Sequence, residues 1–404
     1  MKNILLVRAT PNDLDINAYN VQQVGIGKSF VNKGFNYDFI TFKKDAPRKE
    51  TVFYEKNGCR AKCIELPRKR FLRWGINTEI CDKDFLDKYD LIICQEYYQL
   101  QTYLMSCKSD KVVMYTGPYY NMFMPKLLSP IYDICLTKKL NRQIKHKFVK
   151  SVLAYEFMEK KGYAGLINVG VALDTTRFEQ VEIKPETQKL MQFMRDNTCL
   201  LYVGSLIERK NYPFLLDVYK RLLQKRPNIK LVLIGKSKVS AVEKLLGKKD
   251  ADYAKKYDDQ LTEVERAGIY HLERLDNPQL KYIYPLAKVF LLPSKLEIFG
   301  MVLLEAMYFG APVVSSRNGG SVTLMQDGKC GQIVEEFNLD LWCTAILKYI
   351  DNPDYARSVS ENEMKKIRED CTWDVITEKM LIASEVLDLR QSINGQSAFI
   401  EEKK

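Results

Sequence analysis

The sequence predicts an α/β protein with two doubly wound parallel sheets, one in each half of the chain. Apolar runs of strand length alternate with amphipathic segments of helix length, as in parallel sheets joined by crossover helices. The alternation restarts near residue 170, and 404 residues exceed what one hydrophobic core usually supports. Hydrophobic residues make up 46% of the chain and charged residues 28%, as in an ordinary globular enzyme.

The first half begins with a strand and continues with helices and strands in turn. Residues 19–35 have helical periodicity, and residues 151–162 predict a strand that runs into a helix. The predicted strands are NILLVRA (3–9), NYDFITF (36–42), YDLIICQEY (89–97) and KVVMYTG (111–117). Together they predict a Rossmann-like domain over residues 1–170.

After a connector at 168–179, the second half repeats the pattern. Three segments are predicted strands: IKLVLIGK (229–236), VFLLPS (289–294) and APVVSS (311–316). Two longer segments each begin with a strand: CLLYVGSLIERKN (199–211) and AGIYHLERLD (267–276). The predicted helices are PFLLDVYKRLLQKRP (213–227), PQLKYIYPLA (278–287) and GMVLLEAMYFG (300–310). They predict a second domain over 171–371, followed over 372–404 by a last helix (372–389) and a frayed polar tail.

The basic excess of the chain lies in its first half. Residues 1–173 carry the whole net charge of +11, concentrated in PRKRFLRW (67–74) and KKLNRQIKHKFVK (138–150). These stretches are either a solvated face or a surface for an anionic membrane or an acidic acceptor. No nucleic-acid-binding motif accompanies them, so we expect no nucleic-acid partner.

Cysteine spacing and apolar runs indicate the compartment. The ten cysteines have no regular spacing, and no second pair or nearby histidine completes a metal site with Cys59 and Cys63. We therefore expect reduced thiols and no metal site. The first apolar run is too short for a secretory signal, and the longest one is interrupted by a glutamate, glycines and a proline. These features predict a cytoplasmic protein, which the basic surface could hold at the inner membrane face.

Two nucleotide-binding motifs are not favoured. GIGKS (25–29) lacks the first glycine of a phosphate loop, because Gln22 occupies that position, and the segment fits one amphipathic helix. No glycine fingerprint follows the first strand, which argues against a nicotinamide dehydrogenase.

The stretch EIFGMVLLE (297–305) has the pattern of a ligand site. It follows a predicted strand and begins a helix, whose first turn presents backbone N–H groups at the carboxyl edge of the sheet. The residues placed to offer these groups are Phe299, Gly300, Met301 and Val302. Glu297 faces the same space from the loop, and Glu305 lies further along the helix, where a carboxylate can accept two hydrogen bonds from a cis-diol.

A second junction of strand and loop lies upstream in YVGSLIERKN (202–211). It offers Gly204, the hydroxyl group of Ser205, and the cations Arg209 and Lys210. A lysine at this position can neutralise the charge of a phosphate group. Alternatively, Arg209 and Lys210 are solvated loop residues, but the nearby glutamate stretch favours a functional role.

These residues together resemble the retaining glycosyltransferases of the GT-B fold, specifically glycosyltransferase family 4 (group 1). YVGSLIERKN resembles the loop that holds the donor pyrophosphate, and residues 284–316 resemble the signature region with both glutamates. TWDVITEKML resembles the helix that crosses back to the first domain. The resemblance implies two Rossmann-like domains that face a cleft. It also implies donor binding by Glu297 (sugar), Glu305 (ribose) and Lys210 (diphosphate), with Glu297 and Lys210 as the catalytic residues.

The resemblance further implies a metal-independent transfer of a hexose-type sugar to a glycan or lipid-linked acceptor. The donor would be a nucleotide-diphosphate sugar. The chain departs from the family pattern in two places: Ser205 stands where an arginine is usual, so that Arg209 or Lys236 would have to substitute, and TGPYYN (116–121) contains no histidine. These departures leave two alternatives open, a catalytically weak binding subunit and a sugar-nucleotide epimerase.

Overall fold

The computed structural model describes residues 2–386, except 11–12, 19–20, 45–46, 72–73, 122–129, 131, 238–251 and 326–327. The chain forms two compact units. Unit 1 comprises Met1–Asp174 with Cys371–Lys404, and unit 2 comprises Thr175–Asp370. The division thus falls at residue 174 rather than at 170, and the C-terminal segment belongs to unit 1. The tail that we expect to be frayed lies outside the described residues.

Unit 1 is built on a predominantly parallel sheet. Its strands are β1 (Asn3–Arg8), β2 (Asn36–Lys43), β3 (Lys49–Lys56), β4 (Cys59–Pro67), β5 (Lys69–Phe71), β6 (Trp74–Ile76), β7 (Leu91–Gln95), β8 (Val112–Thr116), β9 (Lys147–Val149) and β10 (Leu166–Asn168). Eight of them form one sheet in the order β10-β9-β8-β7-β1-β2-β4-β3. Only β3 is antiparallel to its neighbour in this sheet, and β5 and β6 form a separate hairpin. The helices that follow these strands are α1 (Gln22–Asn32), α2 (Lys83–Leu86), α3 (Leu100–Ser106), α4 (Lys138–Gln143) and α5 (Val152–Lys160).

Unit 2 contains a six-stranded sheet that is parallel throughout. Its strands are β11 (Thr198–Val203), β12 (Ile229–Ile234), β13 (Ile269–Leu272), β14 (Val289–Leu292), β15 (Val313–Ser316) and β16 (Gln332–Val334). Its helices are α6 (Pro185–Asp196), α7 (Tyr212–Lys225), α8 (Asp252–Asp258), α9 (Glu263–Ala267), α10 (Met301–Tyr308), α11 (Gly319–Met325), α12 (Leu339–Asp351) and α13 (Pro353–Asp370). The central strands are fully buried, which explains why they are almost continuously apolar.

The strand order creates one switch point in each sheet. In unit 2 the order is β13-β12-β11-β14-β15-β16, so the chain builds outward from β11 in one direction and from β14 in the other. In unit 1 the corresponding neighbours are β1 and β7. Ligands of doubly wound sheets bind beyond the carboxyl ends of the strands at such points.

The last helix, α14 (Trp373–Ala383), packs against α1 in unit 1. The hydroxyl group of Ser29 donates to Asp374 Oδ1 over 2.6 Å. A Cβ atom on Gly25 would lie 2.2 Å from Trp373 Nε1, so this glycine permits the close packing of the two helices. The GIGKS segment is therefore part of a packed helix, as its periodicity predicts.

Three sequence predictions were wrong in detail. Residues 278–287 do not form one helix but two short 3₁₀ helices, because Pro285 removes a backbone donor and clashes with the preceding turn. The strand expected at the start of 151–162 lies earlier, at β9, and Ser151 instead caps α5 by accepting from the Ala154 N–H group. The helix predicted over 372–389 ends at Ala383.

The β3–β4 hairpin is an addition that the sequence analysis missed. Its turn is formed by Asn57 and Gly58, whose φ angles are 51° and 78°. Two successive positive φ angles at Asn-Gly are typical of a tight hairpin turn. The Asn-Gly pair between two alternating runs was the available signal.

Candidate active site

The candidate site in unit 2 is formed by the loops that follow β11 and β14. Because these strands are neighbours at the switch point, both loops leave the same edge of the sheet. The Lys295 N–H group donates to the Arg209 carbonyl oxygen over 2.9 Å and ties the loops together. The predicted residues 204–210 and 297–302 are therefore brought to one place by strand order rather than by closeness in sequence.

An ion pair between Lys210 and Glu297 lies at the centre of this junction. Lys210 Nζ donates to Glu297 Oε2, and both side chains are almost buried, with 11% and 13% of their surface exposed. Arg209 contacts the same oxygen at 3.3 Å and donates to the Leu296 carbonyl oxygen over 2.7 Å. The structure thus joins a carboxylate and two cations, but the more exposed Arg209 lies at the rim.

Gly204 and Ser205 form the turn that leaves β11. The Gly204 N–H group donates to the Ile234 carbonyl oxygen over 2.9 Å, and a Cβ atom on Gly235 would lie only 1.9 Å from the Gly204 oxygen. The Tyr202 hydroxyl group donates to the Ser205 carbonyl oxygen over 3.0 Å, and burial raises the pKa of this hydroxyl group. These contacts hold the turn in one conformation beside the ion pair.

Gly300 sets the start of α10. Its φ angle of 86° is in the left-handed region, where a side chain is strained. A Cβ atom here would lie 3.2 Å from both Glu297 Cγ and Leu292 Cδ2. The glycine therefore permits both the backbone conformation at the helix start and the close approach of the Glu297 side chain. Met301 and Val302 follow in the first helical turn and are half-buried, and Phe299 precedes them in a buried position.

The beginning of α11 packs against the loop that precedes α10. A Cβ atom on Gly320 would lie 1.9 Å from the Phe299 carbonyl oxygen, so only a glycine permits this approach. The fully buried Asn318 accepts hydrogen bonds from the Gly320 and Ser321 N–H groups at 3.1 and 3.0 Å. The Gly319 N–H group donates to the Glu297 carbonyl oxygen over 3.4 Å. The sequence RNGG thereby fixes the backbone of the candidate sugar-binding residue.

Glu305 occupies a different environment from Glu297. It lies within α10 and is fully buried. The Tyr284 hydroxyl group donates to Glu305 Oε2 over 3.0 Å, and Asn277 Nδ2 lies 3.3 Å from both carboxylate oxygens. These two polar side chains thus offset the cost of removing the Glu305 carboxylate from water.

Two polar side chains near these glutamates were missed by the sequence analysis. Ser294 and Asn277 each have a buried polar atom, Oγ and Oδ1, that lacks a hydrogen-bond partner among the described residues. Such atoms carry a desolvation cost that a ligand can relieve. Ser294 stands just after the strand VFLLP, at the ligand edge of the sheet, and a single serine there gives little signal in the sequence.

The described residues show neither of two other kinds of site. Within them, no group of three or more His, Cys, Asp or Glu side chains is arranged to hold a metal ion. In the same part of the chain, no helix is long and apolar enough to cross a bilayer.

Comparison with known proteins connects this geometry to one family. Residues 184–366 match the family model described as "Glycosyl transferases group 1". This match lies within unit 2, Thr175–Asp370. An uncharacterised glycosyltransferase of Methanocaldococcus jannaschii is 24% identical over 375 residues, which are 88% of this chain and 90% of that protein. The capsular polysaccharide biosynthesis glycosyltransferase CapM of Staphylococcus aureus is 23% identical over 263 residues, 65% of this chain and 64% of CapM.

Solved glycosyltransferase structures share the fold over nearly the whole chain. Sucrose-phosphate synthase from Thermosynechococcus elongatus superposes with a TM-score of 0.66 at 18% identity and covers 94% of this chain and 97% of that one. Anabaena HepE in complex with UDP and glucose gives 0.63 at 16% identity and covers 96% of this chain and all (100%) of that one. These similarities confirm the predicted GT-B fold with its two Rossmann-like units.

Proposed function

We propose that the protein is a retaining family 4 glycosyltransferase. It would move a hexose-type sugar from a nucleotide-diphosphate sugar to a hydroxyl group of a glycan or lipid-linked acceptor, in polysaccharide or glycoconjugate biosynthesis. The observation that carries the proposal is the cluster of Lys210, Arg209 and Glu297 at the switch point of unit 2. A diphosphate requires cations and sugar hydroxyl groups require acceptors, and this cluster offers both. The match to the group 1 family and the UDP and glucose bound to HepE support the same assignment.

In this proposal the donor separates an ion pair that already exists. The diphosphate takes Lys210, with Arg209 in the place of the usual arginine, and the sugar hydroxyl groups donate to Glu297. Arg209 is a better substitute than Lys236, because Arg209 contacts Glu297 Oε2 at 3.3 Å. The remaining donor-binding residues are Gly204, Ser205, Phe299, Gly300, Met301 and Val302. The empty site would be preorganised, since each charge holds the other in position.

Glu305 would bind the ribose of the donor. Its two contacts with Asn277 are long, at 3.3 Å each, and the Oδ1 atom of this asparagine is buried without a hydrogen-bond partner in the described part of the chain. A ribose diol that donated to the carboxylate would replace these weak contacts. The Tyr284 hydroxyl group would keep its bond and fix the carboxylate orientation.

The proposed chemistry needs charge stabilisation rather than a protein nucleophile. As the C1–O bond of the donor breaks, negative charge develops on the leaving diphosphate, where Lys210 and the positive end of the α10 dipole would stabilise it. A phosphate oxygen would take the acceptor proton while the acceptor attacks the same face, which retains the configuration. In this scheme Glu297 orients the sugar, and the reaction proceeds without a metal or another cofactor.

The basic surface of unit 1 is proposed to bring the acceptor close. The π-helical segment Asp133–Thr137 continues into α4, and together they expose Ile134 (75%) with Lys138, Lys139 and Arg142. An apolar side chain among cations suits the surface of an anionic bilayer, with the protein on the cytoplasmic side. For the other basic stretch, residues 72–73 and the side chains of 69–74 lie outside the described residues. Sedimentation with anionic but not with neutral vesicles would support this surface, and equal recovery would oppose it.

The donor assignment is tested by Glu297→Gln, after a thermal-shift panel of nucleotide-sugars has identified the donor. Glutamine cannot accept charge-assisted bonds, so transfer should fall about a hundredfold. The same variant should bind the free nucleoside diphosphate more tightly, because Lys210 then has no carboxylate competing for it. Isothermal titration measures this affinity. Glu335→Gln, at the exposed ion pair with Arg317, is the matched control in unit 2.

Full transfer by Glu297→Gln would contradict the proposal. The alternatives have distinct outcomes in the same assays. A binding subunit would bind the donor without hydrolysis or transfer, an outcome that Ser205 in place of an arginine favours. An epimerase would convert the donor without any acceptor.

A further inference from the structure

One face of the helical stretch 133–143 carries positive charge that the described residues do not neutralise. Its exposed side chains form what we call the basic face: Ile134, Lys138, Lys139 and Arg142. Asp133 is the single acidic residue of the stretch, and it pairs with Lys161. In the described part of the chain, no carboxylate forms an ion pair with the three cations of the basic face. The face therefore offers three positive charges beside one exposed apolar side chain.

Charged groups hold this stretch at both ends. At its start, Asp133 pairs with Lys161. At its end, the buried Lys147 donates to the carbonyl oxygens of Asn141 and Ile144 at 3.2 and 2.5 Å. A carboxylate at the start of a helix and an ammonium group at its end both match the helix dipole. The basic face is therefore formed before any ligand binds, and binding does not have to order it.

The described chain ends beside the same stretch. Lys145, which follows α4, pairs with Glu385 at 2.5 Å. The next residue, Val386, accepts a hydrogen bond from Lys2 Nζ over 2.6 Å. Residues 387–404 lie outside the described residues. They continue from a point where the chain already pairs with the basic stretch of unit 1.

The sequence beyond Val386 complements the basic face. It contains AFIEE (398–402), in which two apolar side chains precede two carboxylates. This composition matches a face with one apolar side chain and three cations. Residues 386–398 can span up to about 43 Å, at about 3.3 Å per extended residue. The helical rise of about 1.5 Å per residue places Ile134 roughly 16 Å from Lys145, so AFIEE can reach the whole face.

We infer that the segment AFIEE binds the basic face of its own chain and competes there with an anionic bilayer. Glu401 and Glu402 pair with the cations, and Phe399 packs on Ile134. Exposed ion pairs contribute little individually, but the tether makes the contact intramolecular, at an effective concentration of about a millimolar or more. Weak contacts are therefore sufficient. The contact itself does not depend on the proposed function, whereas the competition with a bilayer rests on it.

The reactivity of Cys135 tests the contact, because this exposed thiol follows Ile134 in the π-helical segment. Its rate of reaction with N-ethylmaleimide is measured by mass spectrometry in the full-length protein. The variant Glu401→Gln/Glu402→Gln should react about threefold faster or more. The reason is that a contact of millimolar affinity at millimolar effective concentration covers the face for much of the time.

Two further full-length variants separate the contact from a general effect of charge. Phe399→Ser should also accelerate the reaction of Cys135, although it changes no charge. Lys403→Gln/Lys404→Gln is the matched control, because it removes two charges of the opposite sign at the next positions. It should not accelerate the reaction. Equal thermal unfolding midpoints by circular dichroism show that all these variants are folded.

Three results would overturn the contact. They are labelling of the glutamate variant at the wild-type rate, equal acceleration in the lysine control, and a wild-type rate that changes with protein concentration. The last result would assign the contact to the tail of a second copy of the chain.

Sedimentation with vesicles of phosphatidylcholine and phosphatidylserine tests the competition. The variant Glu401→Gln/Glu402→Gln should bind at about threefold lower lipid concentration than the wild type, in parallel with its faster labelling. Equal recovery of both proteins would overturn the competition. If neither protein sediments, the bilayer surface of the proposed function fails together with the competition, while the labelling rates still decide the contact.

Discussion

Replacing Gly300 by alanine tests whether one backbone conformation sets the donor site. The φ angle of 86° makes a Cβ atom unfavourable by about 1–2 kcal/mol, which lowers the free energy of unfolding by that amount. The new methyl group would also lie 3.2 Å from Glu297 Cγ and from Leu292 Cδ2. One of these neighbours must move by a few tenths of an ångström. Leu292 ends a buried strand, so we expect the loop residue Glu297 to move.

The expected functional loss exceeds the loss of stability. Small misplacements of a positioning group can cost up to about a hundredfold in rate, so we expect sugar transfer to fall roughly ten- to a hundredfold. The control is Gly310→Ala at the other end of α10, where φ is 74° and the nearest atom is Met364 Sδ at 3.1 Å. It carries a similar backbone penalty far along the helix from Glu297. Urea unfolding measures stability, and initial rates with the identified donor measure transfer. Equal activity losses in both variants would refute a specific role for Gly300.

Two further predictions concern buried ionisable side chains in unit 2. Burial raises the pKa of Glu363 well above its usual value, so the folded state retains a proton that the unfolded state loses above about pH 4.5. This contribution to the free energy of unfolding is complete below that pH and is lost as the pH rises through the folded pKa. The Glu363→Gln variant should therefore lose less of its free energy of unfolding between pH 5 and 9, as measured by urea unfolding. A pH dependence equal to that of the wild type would contradict the assignment. Lys210→Met should weaken nucleoside-diphosphate binding more than Arg209→Met, because Lys210 is almost buried whereas 45% of the Arg209 side chain is exposed. Calorimetry decides the order, and the reverse order would make Arg209 the main phosphate ligand.

The local parts of the candidate site could be predicted from the sequence. A strand that ends in a short loop before a helix is visible as a change of periodicity, and this identified both 202–211 and 297–305. Gly300 was predictable for the same reason, since a glycine at a helix start signals either a tight turn or a close approach. Periodicity and turn residues report on neighbours in the chain, which is why these elements were found at nearly the right bounds.

The contacts between distant segments could not be predicted in this way. The ion pair of Lys210 with Glu297 depends on β11 and β14 being adjacent, and strand order has no local signature. Prolines explain the main error in helix assignment, because the apolar pattern of 278–287 is helical but Pro285 prevents a continuous helix.

The return of the chain to unit 1 has a consequence for synthesis on the ribosome. All residues of unit 2, Thr175–Asp370, are contiguous, so every one of them is synthesised before the last segment of unit 1. Unit 1 is synthesised first, but its packing cannot be completed until α14 has been made. The reason is that Trp373 fills the space beside Gly25 and Asp374 accepts a hydrogen bond from Ser29. Although N-terminal domains usually fold first, here the N-terminal domain is finished last. A chain truncated before Cys371 would therefore contain all of unit 2 together with a unit 1 whose α1 lacks its packing partner.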